Sequence, residues 1–243
     1  MKTQSPDSIV ARTEPGILRG LAGILRSAAA VLAKDLRCEF RVKQAISAIL
    51  LFAVTSCIAV SFTLSDYGGI GPVSATLLWI VVYFSAMSGL SRSFVREEDM
   101  RTAALLRLST SPGSVYLGKL AFNWLLVTAL QIVAVPLLIV FLGINVSGWA
   151  EFVGVMLAGG LALSAGATTA AAMVSKAATK GAVFAVICFP LLAPALAASI
   201  HGSSLAMDPR AALSAAGDIR ILAGYCGTLI TASLMLFRFI WED

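Results

Sequence analysis

Apolar residues run in long blocks along this chain, and six blocks reach membrane length: 45–64, 70–90, 120–142, 152–175, 181–200 and 219–240. A helix needs about 20 apolar residues to cross a bilayer, so each block predicts one crossing. Ahead of the first block the pattern changes to a helical alternation. Ile17, Leu21, Ile24, Leu25, Ala28, Val31 and Leu32 fall on one face and Arg19, Arg26 and Lys34 on the other. A basic amphipathic helix of this kind is expected in the headgroup plane, the alternative being a helix packed on a soluble partner. It leads into the charged run Lys34, Asp35, Arg37, Glu39, Arg41 and Lys43 just before the first span. Residues 1–15 are polar, contain Pro6 and Pro15, and are expected to be disordered. The predicted organisation is a disordered extension (1–15), an amphipathic interfacial helix with a basic segment (16–43) and a six-span membrane domain (44–243), an all-α integral membrane protein.

Composition narrows the class further. Of 243 residues, 58% are hydrophobic and 13% charged, and soluble domains carry about 25% charged residues. With a mean hydropathy of +0.90, a soluble globule is excluded. Six crossings consume about half the chain and leave no stretch for a separate catalytic domain. The formal charge is +5 and the pI about 9.2, yet the basic residues follow topology better than they suggest nucleic acid. An even number of spans puts both termini on one side. That side holds 16 of the 18 Lys and Arg, leaving Arg210 and Arg220 on the other, and the positive-inside rule makes it cytoplasmic. Tyr67, Trp124, Trp149 and Trp241 fall near the predicted span ends, where amphipathic rings sit well. The four cysteines (Cys38, Cys57, Cys188 and Cys226) lack metal or haem-attachment spacing and read as small buried side chains. No apolar run of membrane length precedes Ala45, and no removable signal peptide is expected.

Within the spans, Gly154, Ala158, Ala162, Gly166 and Ala170 recur every fourth residue. Such a stripe lets helix backbones approach closely, either inside one bundle or across a homodimer. Pro136, Pro190 and Pro194 remove backbone donors and predict kinks. No Asp, Glu, Lys, Arg or His lies deep in any predicted span, where only Asn123 and Gln131 are strongly polar. Ion-driven machines need ionisable groups at that depth, so energy is expected to enter from outside the bilayer, unless the protein is a passive scaffold. Gly113, Gly118 and Lys119 imitate the start of a phosphate-binding loop, but Leu120 stands where Ser or Thr would hold Mg²⁺, and the segment passes straight into a span. No catalytic constellation and no metal site is readable, so the chain is expected to be non-catalytic and to bind no cofactor of its own.

The informative polar piece is the connection 91–116. It carries Arg92, Arg96, Glu97, Glu98, Asp99 and Arg101, with Glu97 and Arg101 as an i, i+4 pair. The alternatives are a solvated turn, or a lever docked on a soluble motor whose contacts are those six residues. Lys34 to Arg41 (KDLRCEFR), Leu78 to Glu97 (LWIVVYFSAMSGLSRSFVRE), Tyr116 to Leu120 (YLGKL) and Phe189 to Pro194 (FPLLAP) resemble the heme exporter protein B (CcmB-type) family over about residues 30–240. The resemblance implies the permease subunit of an ABC-type complex in the bacterial inner membrane, both termini cytoplasmic. It would work with a CcmA-type ATPase subunit that binds the ATP, with other cytochrome c maturation membrane proteins and with a heme chaperone. Heme would be the substrate, or the cargo of the chaperone that ATP hydrolysis releases. The family usually continues from the acidic cluster through a Gly to a Leu-Glu pair, whereas this chain has Met100, Arg101, Thr102, Ala103 and Ala104. If heme is handled directly, His201, the one histidine, is the candidate ligand, expected in the short outer connection after the fifth span.

Two competing functions share this architecture. A permease exporting a lipid or drug would leave c-type cytochromes intact on deletion. A non-transport assembly scaffold would leave maturation normal with a hydrolysis-dead ATPase.

Overall fold

The computed structural model describes residues 14–64, 71–90, 110–174 and 180–242. These residues are 93% helical and contain no strand. Seven helices follow one another: α1 (Glu14–Val42), α2 (Gln44–Leu64), α3 (Gly71–Leu90), α4 (Pro112–Leu142), α5 (Trp149–Val174), α6 (Lys180–Met207) and α7 (Ala215–Glu242), with a 3₁₀ turn at Ala212–Ser214 before α7. Five of them, α3 to α7, are long and apolar enough to cross a membrane. A sixth crossing is reached if α1 and α2, bent by 66° at their junction, count together. The chain is an all-α integral membrane protein with several membrane-length helices.

Helix α5 is the hub, packed against α6, α7 and α4, while α3 joins α2, α6 and α4 around it. Small residues make this possible. A Cβ on Gly159 would lie 2.4 Å from both Ser199 Oγ and the Trp79 ring, and one on Gly166 would lie 2.4 Å from Leu192. Trp79 is fully buried, and its indole N–H donates to Ser203 Oγ at 2.9 Å, tying α3 to α6. Lipid offers no hydrophobic drive between helices, so close backbone contact and interhelical hydrogen bonds carry the association.

Several helix ends differ from the sequence expectation, each for a local reason. Helix α4 starts at Pro112, eight residues before the predicted 120. Ser111 stands at the N-cap in an extended conformation, and Pro112 occupies the first turn, where its missing N–H costs nothing. The same helix closes on Gly143, whose φ of 62° is left-handed, and the N–H groups of Gly143 and Ile144 both turn back to the Ile139 carbonyl. Because of the early start, Trp124 sits three turns inside α4 and not at its end. Its indole donates to the Leu157 carbonyl at 3.3 Å. Tyr67 lies outside the described residues. Helix α6 runs on to Met207, seven residues past the expected 200.

The prolines stay within continuous helices. Pro136, Pro190 and Pro194 are all exposed on the outside of α4 and α6. Between the pair in α6, the Leu191 carbonyl accepts the Tyr225 hydroxyl of α7.

Candidate functional site

The polar groups of the described residues gather in three places. The first is the junction of α1 with α4. Along α1, Ala28, Val31, Asp35 and Glu39 are buried and share a seam at helical spacing. That seam crosses α4 at Gly118, where a Cβ would stand 2.7 Å from Val31 Cβ and 2.8 Å from the Ala28 carbonyl oxygen. One residue on, Lys119 is 3% exposed, and its ammonium reaches the Asp35 carboxylate at 3.1 Å. Lys34 meets the other oxygen of Asp35 at 3.1 Å from the surface side. Glu39 carries the next link: its Oε1 accepts the N–H of Ile46 at 3.0 Å, capping the start of α2, and its carbonyl accepts the N–H of Lys43. Lys43 takes a φ of 54°, the one left-handed non-glycine among the described residues, and there the chain turns from α1 into α2. Two carboxylates thus fix the position of α1 and the angle at which it hands over to α2.

The second place is a ladder between α4 and its neighbours. Tyr116 Oη lies 3.3 Å from Thr169 Oγ1, which is 2.6 Å from Ser233 Oγ of α7. Asn123 donates to Thr168 Oγ1 at 2.8 Å, and Gln131 donates to the Met156 carbonyl at 3.0 Å. All these side chains are buried, and their bonds fix the rotation of α4 on α5.

The third place is the opposite end of the bundle. Backbone N–H groups of Ser147 and Gly148 bond the Ala206 carbonyl at 3.2 and 2.9 Å, so the α4–α5 and α6–α7 connections meet there. His201 lies beside them, in the last two turns of α6 and not in a connection as the sequence led us to expect. The helix continues past it because its polar groups are satisfied. Ser203 accepts from Trp79, and Gly202 admits Asp218 of α7, whose Cβ would be 2.9 Å from a Cβ there. His201 Nδ1 stands 2.9 Å from Asp218 Oδ2, with the imidazole side chain 65% exposed and the carboxylate 10%.

The remaining residues singled out from the sequence fall as follows. Arg92, Arg96, Glu97, Glu98, Asp99 and Arg101 lie outside the described residues. The stripe faces the chain's own helices: Gly154 approaches Ile219 and the Ala158 carbonyl takes the Cys226 thiol, both on α7, while Gly166 meets Leu192 on α6 and Ala162 is fully buried. Gly113, Gly118 and Lys119 sit on one uninterrupted helix, without the loop a phosphate would need. All four cysteines are free thiols, with Cys57, Cys188 and Cys226 buried. Of the apolar face named on the amphipathic helix, Ala28 and Val31 are buried while Ile24 and Leu25 are exposed. The buried seam continues through Asp35 and Glu39, and the ion pair with Lys119 lies on it.

The model of the CcmB protein family matches residues 26–240. The chain belongs to the CcmB family. No curated protein matches it significantly. Membership makes it a membrane permease subunit, the membrane component of a heme exporter in cytochrome c maturation, and the family generally works with an ABC ATPase partner, CcmA. Two of the segments that carried the resemblance meet in space in this CcmB-family chain, at Asp35 and Lys119. KDLRCEFR supplies Asp35 and Glu39, YLGKL supplies Gly118 and Lys119, and FPLLAP supplies the Leu191 carbonyl that holds Tyr225. The Asp35–Lys119 pair is what the sequence reading missed. Its signal was available: acids four residues apart on one helix face, and a lysine embedded among apolar residues beside a glycine.

Proposed function

We propose that this chain is the permease subunit of an ABC-type heme exporter complex, coupling ATP hydrolysis on a CcmA-type partner to heme delivery or to release of the heme-loaded chaperone. The family match over residues 26–240 carries this reading. The partner's closure moves the segment 91–109, with Arg92, Arg96, Glu97, Glu98, Asp99 and Arg101 as its contacts. That segment leads within a few residues into Pro112 and the first turns of α4, so a push there arrives directly at Lys119 and the α1 seam. ATP stays on the partner, and heme and the chaperone are met with other cytochrome c maturation membrane proteins. The bundle sits in the inner membrane with both termini cytoplasmic. Supporting this, the basic residues beside the end where the α4–α5 and α6–α7 connections meet are, among the described residues, Arg210 and Arg220.

His201 is the proposed heme contact on that outer end. An imidazole whose Nδ1 is held by a carboxylate has its Nε2 oriented for a metal, the arrangement in which second-shell groups fix ligating histidines. Complementation tests the whole reading. Deleting the chain is expected to abolish c-type cytochromes, and a charge reversal across 96–101 to fail to restore them while releasing the ATPase from membranes. Normal cytochromes in the deletion would overturn the function. Full ATPase co-purification with the reversed variant would overturn the lever, and full complementation by His201→Ala would remove the imidazole from it.

A further inference from the structure

The charged run at the end of α1 reads as mixed in sequence, but the fold sorts it by sign. Between residues 22 and 43 the acids are Asp35 and Glu39, and both are turned inward against α4 and the start of α2. Arg26, Arg37, Arg41 and Lys43 are exposed. At about 100° per residue, three sectors follow around the helix. With Ala28 at zero, the buried seam of Val31, Asp35 and Glu39 lies within about 60° of it. Leu25, Leu36, Ala29 and Phe40 fall between about 60° and 120°, and Arg26, Arg37 and Arg41 between about 160° and 220°. Leu25 is 64% exposed and Phe40 67%, so both ends of the apolar sector are open, while Leu36 between them is half-buried against the core.

From these sectors we infer that α1 is a binding surface for anionic phospholipid headgroups, its Leu25–Phe40 flank seated among acyl chains and its Arg26–Arg37–Arg41 flank on the phosphates. Three observations choose this occupant. The exposed apolar flank and the cationic flank adjoin along one helix, which is the pattern of an interfacial helix, whereas an acidic protein face would need the arginines alone. The 66° bend leaves α1 nearer the membrane plane than the normal when α2 stands along that normal. Helix α2 beyond the bend also presents apolar side chains outward, with Leu51 69% and Phe62 84% exposed. Burial of both acids removes the repulsion that a mixed face would present to phosphate. The inference goes beyond the transport reading and does not depend on heme.

The test uses the full-length protein in nanodiscs of phosphatidylcholine alone or of an equal mixture with phosphatidylglycerol, followed by lipid analysis of what remains bound after detergent extraction. Wild type is expected to retain phosphatidylglycerol above its bulk fraction, and to lose that enrichment in molar salt, where exposed charges are screened within about 3 Å. Arg26→Gln/Arg37→Gln/Arg41→Gln is expected to cut the enrichment by roughly fivefold or more, since each cation near an anionic surface contributes about that factor. The matching Lys triple variant is expected to keep it. Undiminished enrichment in the Gln variant, or in wild type at molar salt, overturns the proposal. So does a Gln variant that keeps its phosphatidylglycerol but no longer co-purifies an ABC ATPase, which would assign the face to a protein. Cytochrome maturation is a separate readout, so failure of the transport reading leaves these lipid measurements interpretable.

Discussion

Lys119 shows how a single buried charge organises the region around it. Taking an ammonium out of water costs several kcal/mol, and the cost is offset only by a partner as well placed as Asp35 at 3.1 Å. Removing Lys119 leaves the buried Asp35 with the half-exposed Lys34 beside it, and removing Asp35 takes from the buried Lys119 the carboxylate it reaches. Lys119→Met and Asp35→Leu are each expected to destabilise the protein by about 3–5 kcal/mol, whereas the double variant, which removes both buried charges, should lose much less than the sum. Thermal unfolding of the four proteins in one detergent closes the cycle, and additive losses would show that the two side chains do not act as a pair. In the sequence, Lys119 read as a flanking charge at a span border. The apolar residues around it hinted at burial, but its partner could not be read there because Asp35 is on another helix, brought near by folding alone. His201 shows the converse: its singularity was visible in the sequence, but its place on α6 and its bond to Asp218 came from the packing of α7.

Among the helices, α1 is positioned by contact and not by its own amphipathicity. Gly118 makes that contact possible, because the Ala28 carbonyl oxygen that a Cβ would strike at 2.8 Å is backbone and cannot swing aside. Gly118→Leu should therefore lift α1 from α4 while leaving the core around α5 folded. Limited proteolysis between residues 22 and 43 would detect it as faster cleavage, with α4 to α7 still recovered as an intact fragment. Cleavage at the wild-type rate would mean that α1 is held by something other than this crossing. The hydropathy pattern found the apolar part of each helix well but not the ends. Ser111 and Pro112 begin α4, and Ser203 and Gly202 prolong α6, through a cap and through contacts with Trp79 and Asp218. Such polar extensions lower an apolar average, and their satisfaction is decided elsewhere in the chain.

For the whole molecule, the decisive quantity is sidedness. The bundle brings residues 143–148 and 206–208 together at one end, opposite the α1–α2 turn and the start of α4. In a background free of native cysteines, Asn145→Cys and Pro209→Cys, both at exposed positions, are expected to react with an impermeant thiol reagent added outside the cell. Lys43→Cys and Ser111→Cys, also exposed, are expected to react only after permeabilisation. The reversed pattern would put the 91–109 segment outside the cell, away from ATP, and the coupling mechanism would fall with it.

The order of apolar blocks determined that this chain is a helical membrane protein, since the bilayer forces backbone groups to pair within each segment and makes span length readable one block at a time. The skew of basic residues likewise carried the expectation of its orientation, and the four quoted segments carried its family. Tertiary structure alone decided which way α1 is rotated, that the small-residue stripe of α5 is filled by α6 and α7, and that Asp35, Gly118 and Lys119 form one junction. Those outcomes depend on pairs distant in the chain, and in lipid, where every surface is equally greasy, only the fit of particular backbones and the pairing of particular charges selects among the possible partners.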